Sequence, residues 1–178
     1  MVTGPVALGV VEDTPGSAIE SAVWRSLADV PDPEIPVLSV LDLGIVRAVR
    51  CAGGECIVTI TPTYSGCPAM AVISDAIRAA LAVLGLHAVI ETQLAPAWTT
   101  EWLTSEGREK LRRFGIAPPR PVRVDTTLLG RINRPAPLSC PRCGSQQTTL
   151  ISQFGSTACK ALHRCNACLE PFDEFKSH

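Results

Sequence analysis

The sequence predicts a small α+β sandwich, ordered α-β-β-α-β-α, followed by a C-terminal β-ribbon module built on four cysteines. Three observations predict it. Apolar residues at helical spacing alternate with short strand-like runs over the first two thirds of the chain. A proline-rich stretch then interrupts both patterns. Beyond it stand two Cys-x2-Cys pairs.

The elements follow in order. Ile19, Val23 and Leu27 repeat at helical spacing and predict a helix over 17–28, which the prolines at 31, 33 and 36 end. The segment from Val37 to Gly44 reads as a turn or short helix. Ile45–Cys51 and Glu55–Thr61 read as two strands around a hairpin loop, Ala52-Gly53-Gly54. After the loop Pro62–Cys67, Pro68 suits the start of a helix over 69–84, whose stripe is Met70, Ile73, Ile77, Leu81 and Leu84. Gly85 ends it, and His87–Leu94 reads as a third strand. A last helix is expected over 100–114, capped by Thr99 or Thr100 and closed by Gly115.

Residues 1-117 are thus expected to form the α+β unit, 118-138 a Pro-rich basic linker with an optional edge strand over 122–129, and 139-178 the ribbon module.

Composition bounds the function. The chain has 178 residues, with 46% hydrophobic and 19% charged, which excludes wholesale disorder. A net charge of −1 and only 4% aromatic residues argue against nucleic acid as partner. No targeting segment is recognisable, and the apolar stretch from Ala79 to Ile90 is far shorter than the ~20 residues a membrane span needs. A cytoplasmic, reducing location is expected, in which the 8 cysteines are metal ligands, reactive groups or core residues rather than disulfides.

Cys140-Pro-Arg-Cys143-Gly and Cys165-Asn-Ala-Cys168 are separated by 21 residues. Two intervening residues turn the chain so that both sulfurs of a pair converge, and two pairs complete a tetrahedral thiolate site. Zinc is the expected metal, with iron or an iron–sulfur cluster as the rival. A module this small builds little core, so the metal contributes to its folding. Strands are expected over 148–154 and 158–164. Cys159 and His163 read either as strand residues or as exchange ligands of the metal shell.

Cys51 and Cys56 are read as ordinary strand thiols. Cys67 lies at a strand-to-helix junction, where free amides favour a thiolate; it is either a functional thiol or a structural cap. Asp32, Glu34 and Asp42 precede the first strand, either as solvated turn residues or as an acidic site beside the thiol. Trp98 and Trp102 are expected as core or interface anchors. Residues 106 to 134 carry eight bases against three acids, a local +5 that is either a solvated face or a docking surface for an acidic partner. No GxGxxG, P-loop, nucleophile elbow or HExxH motif is present.

Asp32-Pro-Glu-Ile-Pro36, Leu41-Asp-Leu-Gly44 and the Cys67-Pro68 junction resemble a family of iron–sulfur assembly and targeting factors. The longer runs from Thr61 to Met70, Phe154 to Leu162 and Arg164 to Asp173 resemble the phenylacetate-degradation protein D (PaaD) family, over roughly residues 17 to 176. That resemblance implies an accessory component of the multicomponent phenylacetyl-CoA epoxidase (ring-1,2-epoxidase) system of aerobic phenylacetate degradation. Its role would be to assist maturation of an iron or iron–sulfur centre, with no catalytic centre of its own. Cys67 matches the family's cluster-handling cysteine and Asp32, Glu34 and Asp42 its acidic motif. The implied partners are the oxygenase or reductase subunits and iron–sulfur assembly proteins. The alternative is a structural, non-catalytic subunit without metal transfer.

Overall fold

A computed structural model describes residues 18–64, 66–120 and 137–177. The first unit contains α1 (Ala18–Leu27), β1 (Val46–Ala52), β2 (Glu55–Ile60), α2 (Met70–Val83), β3 (His87–Thr92) and α3 (Ser105–Phe114). Strands β1 and β2 are antiparallel, and β3 joins β2 in parallel after the α2 crossover. The sandwich expected from the sequence therefore forms.

Its core follows from the periodicities. Val23 and Leu27 of α1 and Ile73, Ile77 and Leu81 of α2 face Val46, Val49, Cys56, Val58 and Ile60 of the sheet. The proline-rich segment before β1 is also buried inward: Ile35, Leu38, Val40, Leu43 and Ile45 all join this core. Asp32 shapes that segment, because its Oδ1 accepts from the amides of Glu34 (2.9 Å) and Ile35 (2.7 Å).

The last helix departs from expectation. Thr100–Trp102 forms a separate 3-10 turn, and α3 starts after Thr104, whose hydroxyl accepts from the Gly107 amide at 2.9 Å. Thr104, not Thr99 or Thr100, is the cap of α3. The break lets Trp98 enter the core, its indole donating to the Leu43 carbonyl at 2.8 Å, while Trp102 lies beneath the Arg47 guanidinium at 3.4 Å. Gly44, at φ +65, passes so close to the Trp102 carbonyl that no side chain fits there. Gly115, at φ +93, ends α3 as expected.

The expectation of free thiols at Cys51 and Cys56 is corrected: they form a disulfide. The turn is the two-residue Gly53-Gly54, so Ala52 pairs with Glu55 and Cys51 stands directly opposite Cys56, with Cα atoms 4.1 Å apart. This is the close, non-hydrogen-bonded kind of pair. The Cys51 amide points away from the ladder and donates to Glu20 of α1 at 3.1 Å.

The ribbon contains β4 (Thr148–Ser152), β5 (Lys160–Cys165) and β6 (Pro171–Phe175), antiparallel in that order. Strand β6 was not expected. It ties the ribbon to the first unit, since Ala117 adds in parallel beside Glu174, with Ala117 N to Asp173 O at 2.8 Å and Phe175 N to Ala117 O at 2.9 Å. Phe175 and Cys159 are buried in the first unit's own core, and Phe175 meets Trp98 edge-to-face at 6.0 Å. The edge strand considered over 122–129 lies outside the described residues. No helix among the described residues is long and apolar enough to cross a membrane.

Candidate functional site

Two groups of chemically capable side chains emerge. The first is in the ribbon. Cys140, Cys143, Cys165 and Cys168 bring their sulfurs within 4.8 Å of one another, and no other set among the described residues meets that spacing for a metal. The Cys140–Cys168 and Cys143–Cys165 sulfur pairs are 3.8 and 3.5 Å apart. Zinc–sulfur bonds of about 2.3 Å at tetrahedral angles require sulfurs about 3.8 Å apart, so the donor set fits structural zinc. The thiols compete for protons as they stand. The Cys168 amide helps to lower Cys165 to about 6, whereas Cys168 is pushed up to about 12. In Cys168 the Glu170 amide pulls downward, but burial and the hydrogen bonds shared with the other three thiols outweigh it. A cation replaces those protons and removes the conflict.

Cys159 and His163 are absent from this set. His163 is buried, lies over the Phe172 ring and points Nε2 at Glu174 Oε2, 2.8 Å away. Glu174 also receives Arg120 at 2.7 and 3.2 Å. Burial raises the Glu174 carboxyl, but His163 and Arg120 prevail and hold it below its ordinary value.

The second group lies where the ribbon meets the first unit. Cys67 is half-buried just before α2, whose N-cap is Ala69. Its thiol is raised: burial is the largest cause and nearby Glu34 and Asp32 add to it, against the Ala69 amide and the Tyr64 side chain. The expectation of a thiolate favoured by helix amides is therefore corrected, because desolvation and two carboxylates outweigh one amide. Asp32 is itself raised, chiefly by burial, with Glu34 adding to it and Lys160 of the ribbon opposing. The ribbon contributes Cys159, whose Sγ lies 3.5 Å from Glu34 Oε2 and 3.0 Å from Thr157 Oγ1. Burial and Glu34 push this thiol up to about 11. Tyr64 is raised by burial and by the fields of Cys67, Glu34 and Cys159.

Asp32 and Glu34 therefore bear electrostatically on Cys67, but Asp42 does not. Asp42 accepts from the Ser39 amide and hydroxyl at 2.8 and 3.0 Å and pairs with Lys110 at 2.8 Å, binding α3 to the segment before β1. Burial pushes its carboxyl up, yet Lys110 and Ser39 win and lower it. Several bases of the expected docking stretch are engaged internally. Arg108 donates to the Pro119 carbonyl, Lys110 pairs with Asp42, Arg112 and Arg113 pair with Glu109, and Arg120 pairs with Glu174. Arg123, Arg131 and Arg134 lie outside the described residues.

Sequence reasoning missed Cys159 as a member of this group. Its carboxylate partner is 125 residues away, and no local spacing signals such a pair.

Comparison with known proteins agrees with both units. Residues 20–92 match the family model "Iron-sulfur cluster assembly protein" and residues 127–176 match "PaaD zinc beta ribbon domain". The chain is similar to the D component of the "Putative 1,2-phenylacetyl-CoA epoxidase" of Escherichia coli (strain K12), 51% identical over 155 residues, which cover 86% of this chain and 90% of that protein. It is also similar to an "Fe-S protein maturation auxiliary factor" of Porphyromonas gingivalis, 36% identical over 95 residues, covering 52% of this chain and 90% of that one. In fold, it matches the crystal structure of a domain of unknown function (DUF59) from Bacillus anthracis, with a TM-score of 0.50 and 24% identity, over 54% of this chain and 93% of that one. Two matched units in this order, with half of the residues shared along nearly the whole of one relative, mean that the chain belongs to the phenylacetate-degradation protein D (PaaD) family.

Proposed function

We propose that this chain is an accessory component of the phenylacetyl-CoA epoxidase system that assists maturation of an iron or iron–sulfur centre in another subunit. The observation that carries this reading is the half-buried Cys67 thiol just before α2, within the field of Asp32 and Glu34, in a unit similar to an iron–sulfur maturation factor. The cargo is the substrate here. Cys67 gives up its proton to take iron, and it recovers a proton when a ligand of the client displaces it. The carboxylates offset the positive charge of the cargo while it is held. The four-cysteine zinc keeps the ribbon folded, and the partners are the oxygenase or reductase subunits together with iron–sulfur assembly proteins. In this reading the chain acts by holding metal for a client and not through a catalytic centre of its own.

Cys67→Ser tests the reading. The variant should keep its fold, expression and ribbon zinc, yet lower the yield of active, metal-loaded epoxidase in cells that also make the other subunits. Full loading with a folded Cys67→Ser protein would refute metal handling and leave a structural subunit.

A further inference from the structure

We propose that two adjoining cavities at the end of β3 form a docking cleft for a partner protein, which enters it with an extended segment that sets acidic residues beside a large apolar one. The proposal rests on the reading that Cys67 serves a client subunit, and it names what that client presents. The first cavity, about 730 Å³, is lined by Arg47, Arg50, Glu91, Gln93 and Pro96, among others. The second, about 420 Å³, is lined chiefly by Pro62, Tyr64, Leu94, Ala97 and Trp98. Consecutive residues bound the two: Gln93 and Pro96 belong to the first, Leu94 and Ala97 to the second. One cavity is basic and its neighbour is apolar.

The basic cavity is built before any partner arrives. Val46 pairs with Ile60 and Ala48 with Thr59, so Arg47 is an extra residue in β1, and such a bulge re-aims its side chain. The Arg47 guanidinium lies over the Trp102 ring at 3.4 Å and donates to the Gly44 carbonyl at 3.2 Å. It has no carboxylate partner among the described residues. Stack and hydrogen bond fix a long side chain in advance, which lowers the entropy cost of binding. Arg50 meets Glu91 at 3.5 Å, with the two side chains 68% and 50% exposed. A pair that wet is weak and exchanges its carboxylate readily. Two guanidinium groups against one carboxylate leave the cavity positive, and their planar forks match carboxylate oxygens. The bases Arg108, Lys110, Arg112, Arg113 and Arg120 are held by internal contacts, so the acidic partner expected at that stretch finds its cations here instead. A small free anion would fill only the basic half and leave Leu94, 59% exposed, bare to water. A segment carrying both kinds of group fills both halves. It also reaches the thiol's own turn, because the Tyr64 carbonyl accepts from the Cys67 amide at 3.2 Å.

The test is quantitative copurification of the full zinc-loaded chain with co-produced oxygenase and reductase subunits. Arg47→Glu and Arg50→Glu should each lower the retained partner at least about tenfold. Raising salt from about 50 to about 200 mM should weaken retention by the wild-type chain. A photo-crosslinking residue, Leu94→p-benzoylphenylalanine, should join a partner peptide in which acidic residues stand beside a large apolar one. Cys67→Ser should retain the partner as wild type does. If both arginine variants retain the partner fully while Cys67→Ser lowers metal loading, this proposal is overturned and metal handling by Cys67 stands. If the arginine variants lose the partner while Cys67→Ser loads metal in full, docking stands and metal handling falls. A wild-type chain that retains no subunit, or a crosslinked peptide without acidic residues, overturns the proposal. Should either arginine variant lose its zinc or its circular dichroism, the crosslinked peptide decides.

Discussion

Replacing Phe175 by alanine should detach the ribbon from the first unit and convert Cys159 from a silent thiol into a reactive one. Phe175 is 1% exposed and packs against Trp98 at 6.0 Å. Truncating a buried Phe to Ala costs about 3–5 kcal/mol. The two backbone hydrogen bonds at Ala117 contribute about 1 kcal/mol each, so they do not make up the loss. Once β6 leaves, Cys159 loses the burial and the Glu34 contact that hold it at about 11 and returns toward the ordinary thiol value of about 8.5. Near pH 8 its thiolate fraction then climbs from about one in a thousand to about one in four, which is a rise in alkylation rate of roughly two hundred-fold. The assay is a timed iodoacetamide reaction on zinc-loaded protein, with Cys159 followed by peptide mass spectrometry. A folded, zinc-loaded Phe175→Ala protein whose Cys159 alkylates at the wild-type rate would refute the reasoning, because Phe175 would then not be what buries that thiol.

Four further outcomes are expected. Cys143→Ser should lose the ribbon zinc by elemental analysis and melt β4 to β6, since metal binding in such modules supplies about 10–16 kcal/mol of folding free energy; the helical circular dichroism of the first unit should persist. Lys110→Met should cost about 1–3 kcal/mol in urea unfolding by leaving the buried Asp42 charge without its cation. The lowered Asp42 carboxyl contributes stability that is present above its unfolded pKa and lost as pH falls through the folded one. Acid unfolding below about pH 4 should therefore be shallower in Asp42→Asn than in wild type. Gly44→Ala should cost more than about 2 kcal/mol, because left-handed backbone strain adds to a collision with the Trp102 carbonyl; a Tm within a degree of wild type would contradict the geometry.

Elements stabilised by their own periodicity were legible. Ile73, Ile77 and Leu81 announce α2, and the two Cys-x2-Cys pairs announce the metal set, because in each case the partners lie close in sequence. What was missed depends on partners far away. Strand β6 begins with Pro171 and carries two acids, so nothing local marks it as buried. Glu174 becomes buried only because Arg120 and His163 meet it there. Asp42 looked like part of an acidic site, but Lys110, 68 residues on, claims it. The Cys51–Cys56 pairing had a usable signal: reading the turn as Gly53-Gly54 alone fixes the register and sets the two cysteines face to face.

The shared core has a consequence for biosynthesis. Phe175 belongs to β6, the last of the described strands to be made, yet it closes a core whose other walls, including Trp98, Leu103 and Leu111, were synthesised long before. Until the ribbon folds on its metal and docks, the nascent first unit carries that apolar wall bare to water, a state prone to wrong association. The interval ends when zinc arrives. Scarcity of zinc in the cell would thus be felt first as loss of intact protein.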